Sequence, residues 1–337
     1  MRFKWPALLD PFLVFLIGTV VVASIVPCRG QGAVAFGWIT NAAITLLFFL
    51  HGAKLSRAAV TAGVGHWRLH LLVAASTFVL FPAIGLVVRA LGQGWIDPTM
   101  TAGVLFLCLL PSTVQSSIAF TSIARGNVPA AVCSATLSNI AGIFITPLLV
   151  GLFMGARAAG GGVNLHSIGA IALQLLAPFV AGHLSRPLTA KVLDRHKSLV
   201  SKVDRGSILL VVYTAFSAAV VEGLWSRLSI GDIALVLVLD AVVLAAALLV
   251  TTLAARSLGF LREDEIAIVF CGSKKSLASG VPMAGVLFPA AMVGPLIVPL
   301  MLFHQMQLMV CAVMARRYAA RAEDRAETVD VAARAGV

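Results

Sequence analysis

Ten long apolar runs, separated by connections that hold nearly all the charge, leave this 337-residue chain few ways to fold. The runs cover roughly 7–26, 34–53, 69–91, 99–124, 128–154, 166–184, 206–225, 231–255, 264–288 and 292–315. At 1.5 Å per helical residue, each is about long enough to cross a hydrocarbon layer of about 30 Å. Hydrophobic residues make up 60% of the chain and charged ones 12%. A soluble domain carries about twice that charged share, so most of this surface must face lipid or other helices. The pattern predicts an all-α integral membrane protein with ten transmembrane helices.

The first run resembles a signal peptide in its charged head and apolar body. Asp10 interrupts it and no small-residue cleavage site follows, so it reads as a first spanning helix. Asp10 and His51 fall near span ends, at the membrane interface. The net charge of +11 raises nucleic acid as a partner, but the basic residues form no stripe with interleaved aromatics. Five scattered cysteines offer neither a disulfide framework nor a metal site. No Gly-x-Ser-x-Gly, paired aspartates or His-Glu-x-x-His occurs, so the chain is not read as an enzyme, and no cofactor is expected.

Counting Lys and Arg orients the chain. With the N-terminus inside, 19 fall in inside regions and four outside (Arg29, Arg89, Arg157 and Arg227). Arg2, Lys4, Lys54, Arg57 and Arg68 are among the inside set. The bias places both ends in the cytoplasm, in keeping with an even number of spans, and points to the inner (plasma) membrane. The two remaining basic residues, Lys274 and Lys275, lie inside the ninth run.

Two runs are flawed as helices. The fourth has Pro111 at its centre, followed by Ser112, Thr113, Gln115, Ser116 and Ser117. The ninth carries Gly272-Ser273-Lys274-Lys275-Ser276. The flaws are about 161 residues apart, and the runs before and after them recur at offsets of about 162 and 164. The chain therefore reads as two five-helix halves, which an odd helix count inserts with inverted topology. Broken helices at matching places in inverted halves point to a secondary transporter with its binding site at the breaks. The plainer alternative is a pair of proline or glycine kinks re-satisfied by neighbouring hydroxyls.

Each lysine at mid-membrane costs roughly 2.5–3.5 kcal/mol on insertion scales, which asks for a role. One could bind an anionic substrate, one could replace a transported cation, or the pair could be structural, with Asp240 as counter-ion. Thr136, Ser138 and Asn139 could face the fourth-run break, although small and hydroxyl residues also serve as packing surfaces. His304, Gln305 and Gln307 form a polar patch in the last run, either interhelical glue or a cavity lining.

The motifs "PSTVQSSIAFTSIARGNVPAAV" and "SNIAGIFITPLL" resemble the fourth and fifth helices of the bile acid:sodium symporter superfamily. "CGSKKS", "VLFP" and "FHQMQLM" are similar to the branch of solute carrier family 10 member 7 and its bacterial homologues. The resemblance spans all ten runs. It implies that helices 4 and 9 cross at unwound centres in a core domain, residues 69–160 and 229–316, which moves against a four-helix panel, residues 1–68 and 161–228. Residues 317–337 would form a cytoplasmic tail. It also implies sodium sites beside the crossing, at Ser116 and Ser117 and at Thr136, Ser138 and Asn139.

One departure bears on coupling. Sodium-coupled bile-acid carriers place a carboxylate and a Gln-Asn pair at the ninth-helix break, where this chain has lysines. At 4 Å and an effective dielectric of about 20, two unit positive charges repel by roughly 4 kcal/mol. That argues against sodium coupling and against bile acid as the substrate. The expectation is a transporter of a small organic anion in the lipid bilayer, without nucleic acid, and compatible with a homodimer. The rival is a non-transporting membrane regulator or scaffold, since the resembled branch is associated with calcium entry.

Overall fold

A computed structural model of the chain describes residues 11–54, 66–92, 97–155, 165–227 and 229–335. Asp10, and Arg2, Lys4, Arg57 and Arg157 of the charge count, lie outside them. Every regular element among the described residues is helical. The helices are α1 (Pro11–Ile25), α2 (Gly30–Lys54), α3 (Trp67–Leu91), α4 (Pro98–Leu109), α5 (Gln115–Ile123) and α6 (Val128–Met154). They continue as α7 (Leu165–Arg195), α8 (Lys197–Val221), a single turn α9 (Leu224–Arg227), α10 (Ile230–Ser257), α11 (Arg262–Gly272), α12 (Leu277–Leu287) and α13 (Ala290–Ala335).

Local chemistry sets several of these boundaries. The Asp97 carboxylate accepts from the Thr99 and Met100 amides, and Pro98 opens α4 without an amide to satisfy. Asn127 caps α6 through the Ala130 amide at 3.0 Å. Ser229 and Asp232 form a capping box on α10. Ser276 caps α12 through the Ser279 amide at 3.1 Å.

Among the described residues, six helices are long and apolar enough to cross a membrane: α2, α3, α6, α8, α10 and the Ala290–Arg321 part of α13. The protein is therefore a multi-pass membrane protein. The fourth and ninth runs, read from sequence as single flawed spans, are each two helices: α4 and α5, and α11 and α12. The third run holds a feature that the apolar pattern did not reveal. Pro82 lacks the amide that a regular helix would offer to residue 78, and the ladder widens into a π turn over Ser76–Leu80. The Phe81 amide reaches back to the Ser76 carbonyl.

Helices α1, α2, α7 and α8 pack on one another, and α3 to α6 pack with α10 to α13. The α2–α7 contact passes through two glycines. A Cβ on Gly52 would stand 1.9 Å from the Phe179 carbonyl oxygen, and one on Gly182 would stand 2.0 Å from that of Phe49. Only glycine lets the two backbones approach this closely. Outward faces carry exposed Leu71, Val79, Leu148 and Leu152, as lipid contact requires. The innermost stretches are Val104–Leu109 of α4 with Leu110 just past its end, and Ala267–Cys271 of α11, every residue fully buried. Both precede a break, so their last carbonyls end inside protein, where water cannot satisfy them.

Candidate functional site

The two breaks meet. The Ser276 amide donates to the Pro111 carbonyl at 2.9 Å, and the Ser112 hydroxyl donates to the Cys271 carbonyl at 2.5 Å. The Ser117 hydroxyl reaches the Phe270 carbonyl at 2.9 Å, and Ser76 of α3 reaches Gly272 at 2.7 Å. Three serines, two from the first break and one from α3, thus close the end of α11. Ser273 turns back onto Val269 at 2.6 Å.

Helix α6 braces the first break. Ser138 accepts the Ser112 amide at 3.0 Å, and Asn139 donates to the Ser112 carbonyl at 2.8 Å. The Asn139 oxygen accepts from Ser279 of α12 at 2.7 Å, so one amide side chain joins both breaks. Thr146 takes the Leu109 carbonyl at 2.9 Å. Thr113 shares hydroxyl contacts with Ser116 and Ser117, at 2.9 and 3.2 Å. The turn after α5 passes through Arg125, at φ 59°, to Asn127. There the Asn127 amide and side chain bind the Glu263 carbonyl and the Asp264 carboxylate, at 2.9 and 2.7 Å. The first break is thereby tied to the start of α11.

The adjacent lysines have different surroundings. Lys275 is fully buried, and its ammonium donates to the carbonyls of Thr77, Cys108 and Leu110 at 2.9, 2.9 and 2.6 Å. It also stands 4.2 Å from the centroid of the Phe81 ring. Its backbone is held separately, since the Gln307 side chain accepts from the Lys275 amide and donates to its carbonyl, at 2.9 and 3.0 Å. His304 meets the same Gln307 side chain at 2.9 Å. Lys274 is equally buried, yet its ammonium has no hydrogen-bond partner among the described residues. It lies over the rings of Phe120 and Phe270, at 4.3 and 5.3 Å from their centroids.

The structural alternative for the lysines made Asp240 their possible counter-ion. Asp240 is fully buried, but neither carboxylate oxygen has a hydrogen-bond partner, and no ion pair to Lys274 or Lys275 occurs among the described residues.

Beside the meeting point lies a cavity of about 220 Å³. Thr113, Gln115 and Ser116 line it from one break and Asn139 from α6, Ser276 and Ser279 from the other break, and His304 from α13. His51, Ser201, Asp204 and Arg205 face them from α2 and α8. Two adjoining hollows, of about 310 and 320 Å³, share Gln115 and Asp204 with it. The first adds Thr136, and the second leads past the Lys54–Asp204 ion pair to Arg186 and Lys197. Among the sequence-derived candidates, Gln305, Lys274 and Lys275 line none of these spaces, and Pro111, Ser112, Ser117, Ser138, Gly272 and Ser273 stand behind the cavity as scaffold. Sequence reasoning missed Ser76, Thr77 and Thr146. The usable signal was Pro82, which removes a donor from a helix that already carries two hydroxyls a turn earlier.

The sequence profile of the SBF-like CPA transporter family matches residues 10–320. An uncharacterized protein of Pseudomonas aeruginosa is 59% identical over 94% of this chain and 95% of its own length. The Escherichia coli K12 protein named "Putative symporter YfeH" is 55% identical over 94% and 95%. The "Sodium/bile acid cotransporter 7" of Danio rerio is 27% identical over 89% of this chain and 91% of its own.

Proposed function

Because the chain belongs to the SBF-like CPA transporter family, a family of transporters and not of enzymes, we propose that it is a secondary transporter of a small organic anion. It works by alternating access in the inner membrane, with ten spans in two inverted halves and both ends in the cytoplasm. Helices α3–α6 and α10–α13 form the core, and α1, α2, α7 and α8 the panel against which it moves. The split fourth and ninth runs support the repeat.

The observation that carries this reading is the position of the cavity. It lies between the two groups of helices, against the first residues of both α5 and α12 (Gln115 and Ser116, Leu277 to Ser279). Helix N-termini bear partial positive charge and unpaired amides. Two of them converging on one small cavity, with Arg205 opposite, suit a carboxylate, sulfonate or phosphate. Lys54, Arg186 and Lys197 at the far end of the hollows mark the side that the positive-inside bias assigns to the cytoplasm. The described conformation is then inward-facing. Sodium does not drive it, because the break that would carry an acidic ligand carries lysines.

The test is flux in proteoliposomes. A panel of small carboxylates, sulfonates and phosphates is presented under an imposed solute gradient, in sodium and in choline salts. The reading predicts saturable uptake of at least one solute, equal in both salts, and lost on Gln115→Ala. A folded protein that moves none of them would leave the chain a membrane scaffold; uptake only in sodium would restore sodium coupling.

A further inference from the structure

Lys275 has the environment of a bound ion rather than of a side chain. Three backbone oxygens surround its nitrogen, at 2.9, 2.9 and 2.6 Å, with an aromatic face on a further side and no solvent. A neutral amine has two hydrogens to give, so three carbonyl acceptors match the ammonium form. Small hard cations take oxygen ligands of this kind.

The cage does not depend on the lysine. The Thr77 carbonyl has no backbone donor because the Phe81 amide is bonded to Ser76 across the π turn and residue 82 is proline. The Cys108 carbonyl has lost its donor because the Ser112 amide is bonded to Ser138. The Leu110 carbonyl lies beyond the end of α4, with Pro111 next. Two prolines, a π turn and a serine therefore aim three unpaired carbonyls at one point, at the partially negative end of α4. The backbone at 275 is fixed independently by Gln307.

We propose that the carbonyls of Thr77, Cys108 and Leu110 form a monovalent-cation site that Lys275 fills as a tethered occupant, and that the emptied cage takes a free small cation. The crossing then carries its positive charge permanently, supplied by the chain. This assignment rests on packing alone and holds whether or not the chain moves a solute, so the flux test and the test below fail separately.

The experiment is a melt of Lys275→Ala in choline, sodium and methylammonium chlorides at equal ionic strength. Methylammonium reproduces the end of the missing side chain. The expected result is a saturable rise of roughly 5 °C in the variant with methylammonium, with a rise of the same sign in sodium. The wild-type protein and Lys274→Ala, whose ammonium has no oxygen cage, should melt alike in all three salts. Equal melting of Lys275→Ala in every salt overturns the proposal. Should the variant aggregate in choline, purification in methylammonium decides: recovery of monodisperse protein supports the cage, and aggregation in both salts rejects it.

Discussion

The two breaks are closed by opposite chemistry. Helix α4 ends on a charge, the Lys275 ammonium that gathers the Cys108 and Leu110 carbonyls. Helix α11 ends on neutral hydroxyls, with Ser117, Ser112 and Ser76 taking Phe270, Cys271 and Gly272 in turn. Each break is also closed largely from the other: the lysine crosses from the second to the first, and two of the serines cross from the first to the second. This reciprocity explains how two interrupted helices survive in a region without water. The C-terminal ends are saturated and buried, whereas the N-terminal ends of α5 and α12 are left facing the cavity. Such a crossing turns its positive ends toward the cavity and conceals its negative ones.

If this contrast is right, the charged closure is the more fragile. Lys275→Met keeps the bulk and strands three buried carbonyls, each worth about 1–3 kcal/mol when unsatisfied. A loss of at least about 3 kcal/mol is expected, read as a large fall in melting temperature in detergent or as failure to fold. A variant melting within a degree or two of wild type would show that the cage relaxes onto other donors.

The hydroxyl closure should fail in smaller steps. Ser117→Ala and Ser76→Ala each free one carbonyl, at a cost of about 1–3 kcal/mol. Their effects should add, because the two serines approach α11 from different helices and share no partner. Strong non-additivity in the double variant would mean that the end of α11 unwinds as a unit. Asn139→Ala sharpens the comparison from the cavity side, since that side chain touches both breaks. It should lower flux by roughly tenfold or more while costing only about 1–2 kcal/mol of stability, as the loss of a shared buried amide predicts. Flux that falls only in proportion to folded protein would make Asn139 a brace without a ligand role.

What sequence could reveal divides along the same line. The breaks were legible because their causes are local: Pro111 removes a donor, and two adjacent charges follow Gly272 in an apolar run. Ser112 and Ser117, which follow Pro111 directly, were legible as candidates for the same reason, whereas Ser76 and Thr146, on other helices, were not. The π turn was not, because Pro82 lies inside an unbroken apolar run and its consequence appears one turn earlier, at Thr77. The lysine roles were not legible either. The three carbonyls that hold Lys275 come from residues 165 to 198 positions earlier, and main-chain oxygens carry no sequence signal. Asp240 shows the converse: a buried acid and a buried base suggest a possible pair on paper, and no ion pair between them occurs among the described residues.

The smallest expected effect belongs to the neighbour that sequence could not tell from Lys275. Among the described residues, Lys274 gives up its hydration without gaining a hydrogen bond, and its ammonium lies instead against the faces of Phe120 and Phe270. A cation–π contact returns about 2 kcal/mol or more when desolvated, and burying an ion costs several kcal/mol even after relaxation. Lys274→Met, which fills the same space with an apolar chain, should therefore change stability by less than about 1 kcal/mol or raise it. Measured in the same detergent and buffer, the Lys274→Met and Lys275→Met melts should separate by several degrees, on opposite sides of wild type or with Lys274→Met close to it. If both variants fell together, the Lys274 ammonium would have to be holding oxygen acceptors of its own. The contrast between one caged and one uncaged cation at adjacent positions would then dissolve.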